Sequence, residues 1–211
     1  TSVTVQATDT SKIVSTSVAA SVSVTFGGTA DISIAITASL ATVNANTVMV
    51  AQINDSTVNT TGPVLVNART SDGVDRLELI TTAVAASVSV SAGGTVAIGA
   101  SGSGVNATVN QGNQVSALIA GGSTINGATT VTLNAMDVAE LTTTAVAAAV
   151  TVSVGSSAAI ALAVSATLAE VNAGSAVLAQ IDGSTVNASG AVSVLATTTL
   201  GGLRSTITTT A

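Results

Sequence analysis

The side chains here that can exchange protons or ligate metals are ten carboxylates and four basic groups (Lys12, Arg69, Arg76, Arg204); histidine and cysteine are absent. Ser–His and Cys–His nucleophilic pairs need an imidazole to take the proton, so both are excluded. Ordinary zinc sites, built from imidazole and thiolate, are excluded with them. No G-x-x-x-x-G-K-[ST] phosphate loop occurs, and Lys12 is the sole lysine. A glycosidase needs two convergent carboxylates, yet the acids are scattered along the chain. Glu170 and Asp182 cannot be judged as a pair from spacing, and solvated turn charges are the expected role for both.

The densest charge lies in Arg69-Thr-Ser-Asp-Gly-Val-Asp-Arg-Leu-Glu78. Asp72, Asp75 and Glu78 offer hard oxygens there, of the kind Ca²⁺ gathers six to eight of. The G-G-x-G-x-D calcium repeat of some solenoids is absent, and an ordinary surface loop is the expected reading. The runs Thr142-Thr-Thr144, Thr197-Thr-Thr199 and Thr208-Thr-Thr210 raise ice binding, which requires threonine at matching positions of every turn. The sequence therefore assigns no catalytic, cofactor-binding or metal-ligating residue, and no enzyme is expected.

Any element that positions these groups must be built from small residues. Hydrophobic residues make up 47% of the chain, mostly Ala and Val, and Phe26 is the only aromatic. Burial then comes from many short contacts between close layers, since the large aromatic contribution to a rounded core is missing. A net charge of −6 leaves no electrostatic footprint for nucleic acid or an anionic membrane. The high apolar content also argues against disorder. The apolar stretch Ala145 to Ala166 is broken by Ser, Thr and Gly and rich in Val, so two strands are expected there and not a membrane helix. A transmembrane barrel is disfavoured by the missing aromatic girdles.

Self-similarity organises the chain. Val3-Thr-Val returns as Val64-Leu-Val, Val131-Thr-Leu and Val192-Ser-Val, and Val18-Ala-Ala-Ser-Val-Ser-Val returns from Val84 and as Val146-Ala-Ala-Ala-Val-Thr-Val. Asn44, Asn110 and Asn172 keep one phase, as do Asn59, Asn126 and Asn187. One array over 1–211 results, with approximate repeats 3–63, 64–130, 131–191 and a partial copy at 192–211. The second repeat is longer by a polar insertion within Arg69–Glu78, which reads as an outward loop, and Leu200–Arg204 marks a similar lengthening in the fourth. The ends of the chain fall inside repeats, which leads us to expect a longer array with any export signal outside it.

Period-two patterning predicts strands with one buried face. Val84, Ala86, Val88 and Val90 share one face and Ala85, Ser87 and Ser89 the other. Asp31–Ile36 alternates similarly, and Met49, Ala51 and Ile53 form an apolar face. The fold expected is all-β, an elongated parallel β-helix of about three twenty-residue coils per repeat, with asparagine ladders or independent turn asparagines at the corners. Stacked long β-hairpins closing at Gly27-Gly28 and Gly93-Gly94 are the alternative.

The sequence of Met49-Val-Ala-Gln-Ile53, Ser56-Thr-Val-Asn59, Val64-Leu-Val-Asn-Ala68 and a following Ala-Val-Ala-Ala-Ser-Val-Ser-Val with a glycine pair resembles repeats of very large secreted bacterial adhesins. These are the leukotoxin-type and filamentous-haemagglutinin-like proteins and autotransporter passengers. The resemblance implies secretion, display at the bacterial cell surface and a β-helical stalk, and it carries over no catalytic residue. The expected role is a structural stalk or filament segment. The alternatives are an adhesive module contacting a host surface or glycan, or a self-associating fibre subunit. No cofactor, nucleic-acid partner or membrane span is expected.

Overall fold

A computed structural model describes residues 1–210, apart from the side chains at 201–205 and 207. The strands are β1 (Val3–Thr8), β2 (Lys12–Gly27), β3 (Ala30–Ala45), β4 (Val48–Asn54), β5 (Thr57–Asn59), β6 (Val64–Arg69), β7 (Leu77–Gly93), β8 (Val96–Gln111), β9 (Gln114–Ala120) and β10 (Thr124–Ala128). The third repeat adds β11 (Val131–Gly155), β12 (Ala158–Ala173), β13 (Ala176–Ile181) and β14 (Thr185–Ala188), and β15 (Val192–Thr210) opens the fourth. β11 runs unbroken where the first two repeats use two strands each. The protein is all-β, as the alternation predicts. The apolar stretch from Ala145 divides into the end of β11 and the start of β12.

All named strand pairs are parallel and join different repeats, forming four sheets. The repeat anchors become cross-strand neighbours. Val3 pairs with Val64, Val64 with Val131 and Val131 with Val192, and Val18 pairs with Val84 and Val84 with Val146. The expected three coils per repeat do not form. Each repeat lays one row on each sheet, so about sixty residues advance the stack by a single strand spacing of about 4.8 Å. The hairpin alternative fails at the glycine pairs for the same reason. β7 and β8 flank Gly93-Gly94 but hydrogen-bond to strands of neighbouring repeats, facing each other across two sheets.

Two regions differ in their interiors. At the base, the sheets of β1/β6/β11, β4/β9/β13 and β5/β10/β14 enclose aliphatic side chains, with Val66, Val115, Ile119, Ile125 and Leu133 fully buried. Met49, Ala51 and Ile53 point inward as expected. From this base the long strands β2/β7/β11 and β3/β8/β12 extend as a two-sheet arm. Its interior changes from Leu77, Leu79 and Val109 near the base, through Ala83, Ala85 and Ala107, to Ser89, Ser91 and Gly99 near the bend.

The arm reverses the expected burial. Ala85, Ser87 and Ser89 are buried, while Val18 and Val22 on the matching outward face are 70% and 71% exposed. Likewise Ser33 and Ala35 are buried between Ile32, Ile34 and Ile36, which face out. The cause is the tight bend. A Cβ on Gly93 would run into the Val96 carbonyl oxygen, and one on Gly27 into the Asp31 carboxylate. Sheets joined so closely admit only small groups between them. Ser89 Oγ donates to Ser33 O at 2.9 Å and Ser33 Oγ to Ser23 O at 3.1 Å, so single hydroxyls reach the opposing backbone. Sheets bridged by a single hydroxyl stand closer together than the ~10 Å of ordinary facing sheets. Valine and isoleucine keep their strand preference but must point outward.

Candidate functional site

The Arg69–Glu78 segment is the chain's clearest irregularity. β6 ends at Arg69, which pairs with Met136, and β7 begins at Leu77, which pairs with Ala139. Residues 70–76 therefore stand opposite 137–138, a surplus of five. They close on themselves through an antiparallel bridge between Ser71 and Arg76. Val74 at the apex is 89% exposed, so the insertion is an outward loop as predicted. β15 slips by one residue between the partners of Ala139 and Glu140, so the fourth copy lengthens at this same place; the side chains of 201–204 lie outside the described residues.

The loop carboxylates do not gather. Asp72 Oδ1 accepts from the Val74 and Asp75 amides at 2.8 and 2.7 Å, which caps the turn. The Val74 amide, then the Asp75 amide, hold the Asp72 carboxyl below its ordinary value; desolvation opposes this, and the Arg69 charge adds to it. Glu78 pairs with Lys12 at 2.7 Å, and Arg76 pairs with Glu140 at 3.5 Å. Asp72, Glu78 and Glu140 each bind a different group. Among the described residues no three His, Cys, Asp or Glu side chains converge to hold a metal ion. The recess beside the loop, lined by Val74, Asp75, Arg76, Glu78 and Glu140, is about 210 Å³.

The other sequence candidates are also placed. Glu170 faces outward on β12, where its Oε1 accepts from Asn172 at 3.0 Å, while Asp182 lies in the turn after β13. The threonine run at 142–144 is split by strand alternation, because Thr143 is fully buried. One outward column, Thr16–Thr82–Thr144–Thr206, does align across four strands, flanked by Val14 and Val18 on the first. The asparagine ladders form. Asn110 Nδ2 donates to Asn44 Oδ1 and Asn172 Nδ2 to Asn110 Oδ1, at 2.7 and 2.9 Å. Asn126 Nδ2 donates to Asn59 and Asn187 Nδ2 to Asn126, at 3.1 and 3.0 Å.

One group escaped the sequence reading. Asp137 is fully buried where arm meets base. It accepts from Thr70 Oγ1 at 2.9 Å, Gln111 Nε2 at 3.0 Å and Asn113 Nδ2 at 3.3 Å. A buried carboxylate without such donors would be strongly destabilising. The Gln111 and Asn113 bonds fasten β11 to the corner between β8 and β9, and the Thr70 bond ties it to the segment between β6 and β7. The register alone carries the clue, since Asp9, Thr70 and Asp137 each follow directly on the aligned Thr8, Arg69 and Met136. Comparison with known protein families, curated proteins and solved structures finds no match for the chain.

Proposed function

We propose that this chain is a non-catalytic structural segment, a β-solenoid spacer in a bacterial surface or extracellular protein. The observation that carries this reading is the register. Strands one repeat apart lie directly on one another through four sheets, interrupted by one five-residue surplus and by two one-residue slips within strand pairs, β11 against β15 and β10 against β14. Each repeat thus templates the next, and stability in such arrays is approximately the sum of repeat and neighbour terms. Length is what repetition of this kind produces. The asparagine ladders add side-chain bonds along the stacking direction, which suits a load-bearing element.

The Arg69–Glu78 loop weighs against an adhesive module. It stands as a single bump, and its 210 Å³ recess is below the ~300 Å³ at which ligand pockets begin. The outermost strands leave parallel edges of the kind that accept further strands. These edges support continuation of the same array or end-to-end fibres. Electron microscopy of tandem chains carrying two, three and six repeats tests the reading. Stack height should grow by about 4.8 Å per added repeat. Discrete rods would exclude the fibre version, and particles whose height ignores repeat number would refute the spacer itself.

A further inference from the structure

The outer face of β3/β8/β12 is aliphatic and unpartnered. On β3, Ile32, Ile34, Ile36 and Leu40 are 59–76% exposed, and on β12 Ile160 and Leu162 are 57% and 58% exposed. No outward residue between Ile32 and Leu40, or at the positions of β8 and β12 paired with that stretch, is charged. With Val164 and Leu168 on β12, 55% and 52% exposed, there are eight such side chains, which at about 100 Å² of accessible apolar surface each give on the order of 800 Å². This exceeds the ~300–600 Å² of the largest patch on an ordinary monomer and matches the ~800 Å² per partner of a stable interface.

The face is not flat. β8, the central strand, carries Gly102 and Gly104 where β3 has Ile36 and Ala38 and β12 has Val164 and Ala166. Gly104 lines a trough of about 450 Å³ whose walls include Leu40 and Leu168, and Gly102 continues the low strip beside it. The fold does not demand these glycines. Neither has a positive φ. A Cβ at Gly104 would meet nothing within 4 Å, and one at Gly102 only the Val164 carbonyl at 3.9 Å. Glycine inside a strand weakens it, and marks a place where another backbone or ligand comes close.

We propose that this face pairs with the same face of a second copy, the Ile34–Ile36 ridge of each chain entering the glycine trough of the other. Ridge and trough belong to one surface, so a twofold axis satisfies both copies at once, as an isologous interface requires. The pairing is lateral and independent of the spacer reading, because it uses an outer sheet face and leaves the stacking edges untouched.

The test is sedimentation velocity over a concentration series, with Gly102→Thr/Gly104→Thr beside the parent chain. The parent should reach a dimer and stop. The double variant should keep its far-UV circular dichroism and gain thermal stability, since threonine suits a strand better than glycine. Its dimer affinity should fall by about tenfold or more. A parent chain that stays monomeric would overturn the proposal, as would a variant that dimerises as tightly as the parent. An open-ended series of species, equal in both proteins, would indicate end-to-end stacking and also refute lateral pairing. Retention of a monomeric parent on phosphatidylcholine vesicles would assign the face to lipid and overturn it too.

Discussion

Replacing Ser89 by valine and Val22 by threonine reverses polarity at one inward and one outward position of the arm. Ser89 is fully buried, and its hydroxyl donates to Ser33 O and contacts Ser33 Oγ, both at 2.9 Å. Ser89→Val removes this bond, worth about 1 kcal/mol net. It also forces extra methyl volume between closely held sheets, at a further ~1–3 kcal/mol. The expected loss is therefore about 2–4 kcal/mol. Ser89→Ala should lose only the ~1 kcal/mol of the bond. Val22, 71% exposed on the opposite side of the same sheet, should tolerate Thr within about 0.5 kcal/mol. Urea unfolding followed by far-UV circular dichroism measures all three, with unchanged slope required for comparison. If valine formed the core face, the order would invert. Val22→Thr would then cost more than Ser89→Val, and that result would refute the inside-out arm.

Two further outcomes follow from the bend and the loop. Gly93→Ala should destabilise by about 1–3 kcal/mol, because its Cβ meets the Val96 carbonyl and the backbone must strain to avoid it; thermal melts compare it with Gly104→Ala, which should cost nothing. The Asp72 carboxyl is held below its ordinary 3.8, so its capping is fully present above that value and is lost as pH falls through the lower folded-state value. The protection of the Val74 and Asp75 amides, measured as exchange relative to the intrinsic rate at each pH, should fall on that acid limb and remain flat above it. An Asp72→Asn variant, still able to accept the two bonds, should lack the pH step.

Repeat length, register, strand content and the asparagine ladders were legible because each is a property of sequence spacing. Once Val3, Val64 and Val131 share a phase, a circuit of one repeat length puts them side by side. The number of rows per repeat was not legible. A twenty-residue coil would set identical residues three layers apart and a sixty-residue circuit sets them side by side, yet both fit the same sequence spacing, and only the lengths of uninterrupted strand such as Lys12–Gly27 separate them. Alternation in Val84–Val90 correctly divides the strand into two faces, but the pattern cannot say which face is inside. The usual rule gives that side to valine. Here the bend glycines decide, since the space they impose excludes branched side chains, and the sequence carries that only as Gly27-Gly28 and Gly93-Gly94.

The same steric condition explains why the chain's chemistry is so sparse. An arm whose interior holds hydroxyls bonded to opposing carbonyls has little room for a carboxylate or an imidazole between its sheets. The one fully buried acid, Asp137, lies where the arm widens into the base and three donors can surround it. Charge elsewhere lies in turns, in the Arg69–Glu78 loop and at strand positions such as Lys12 and Glu170 that solvent reaches. The outward faces are left to Val, Ile and Leu, which the strands favour and the interior cannot take. A fold that puts aliphatic residues outside and hydroxyls inside must either limit association through those faces or use it. The two glycines on β8, needed by nothing within the chain, mark the β3/β8/β12 face as one that is used.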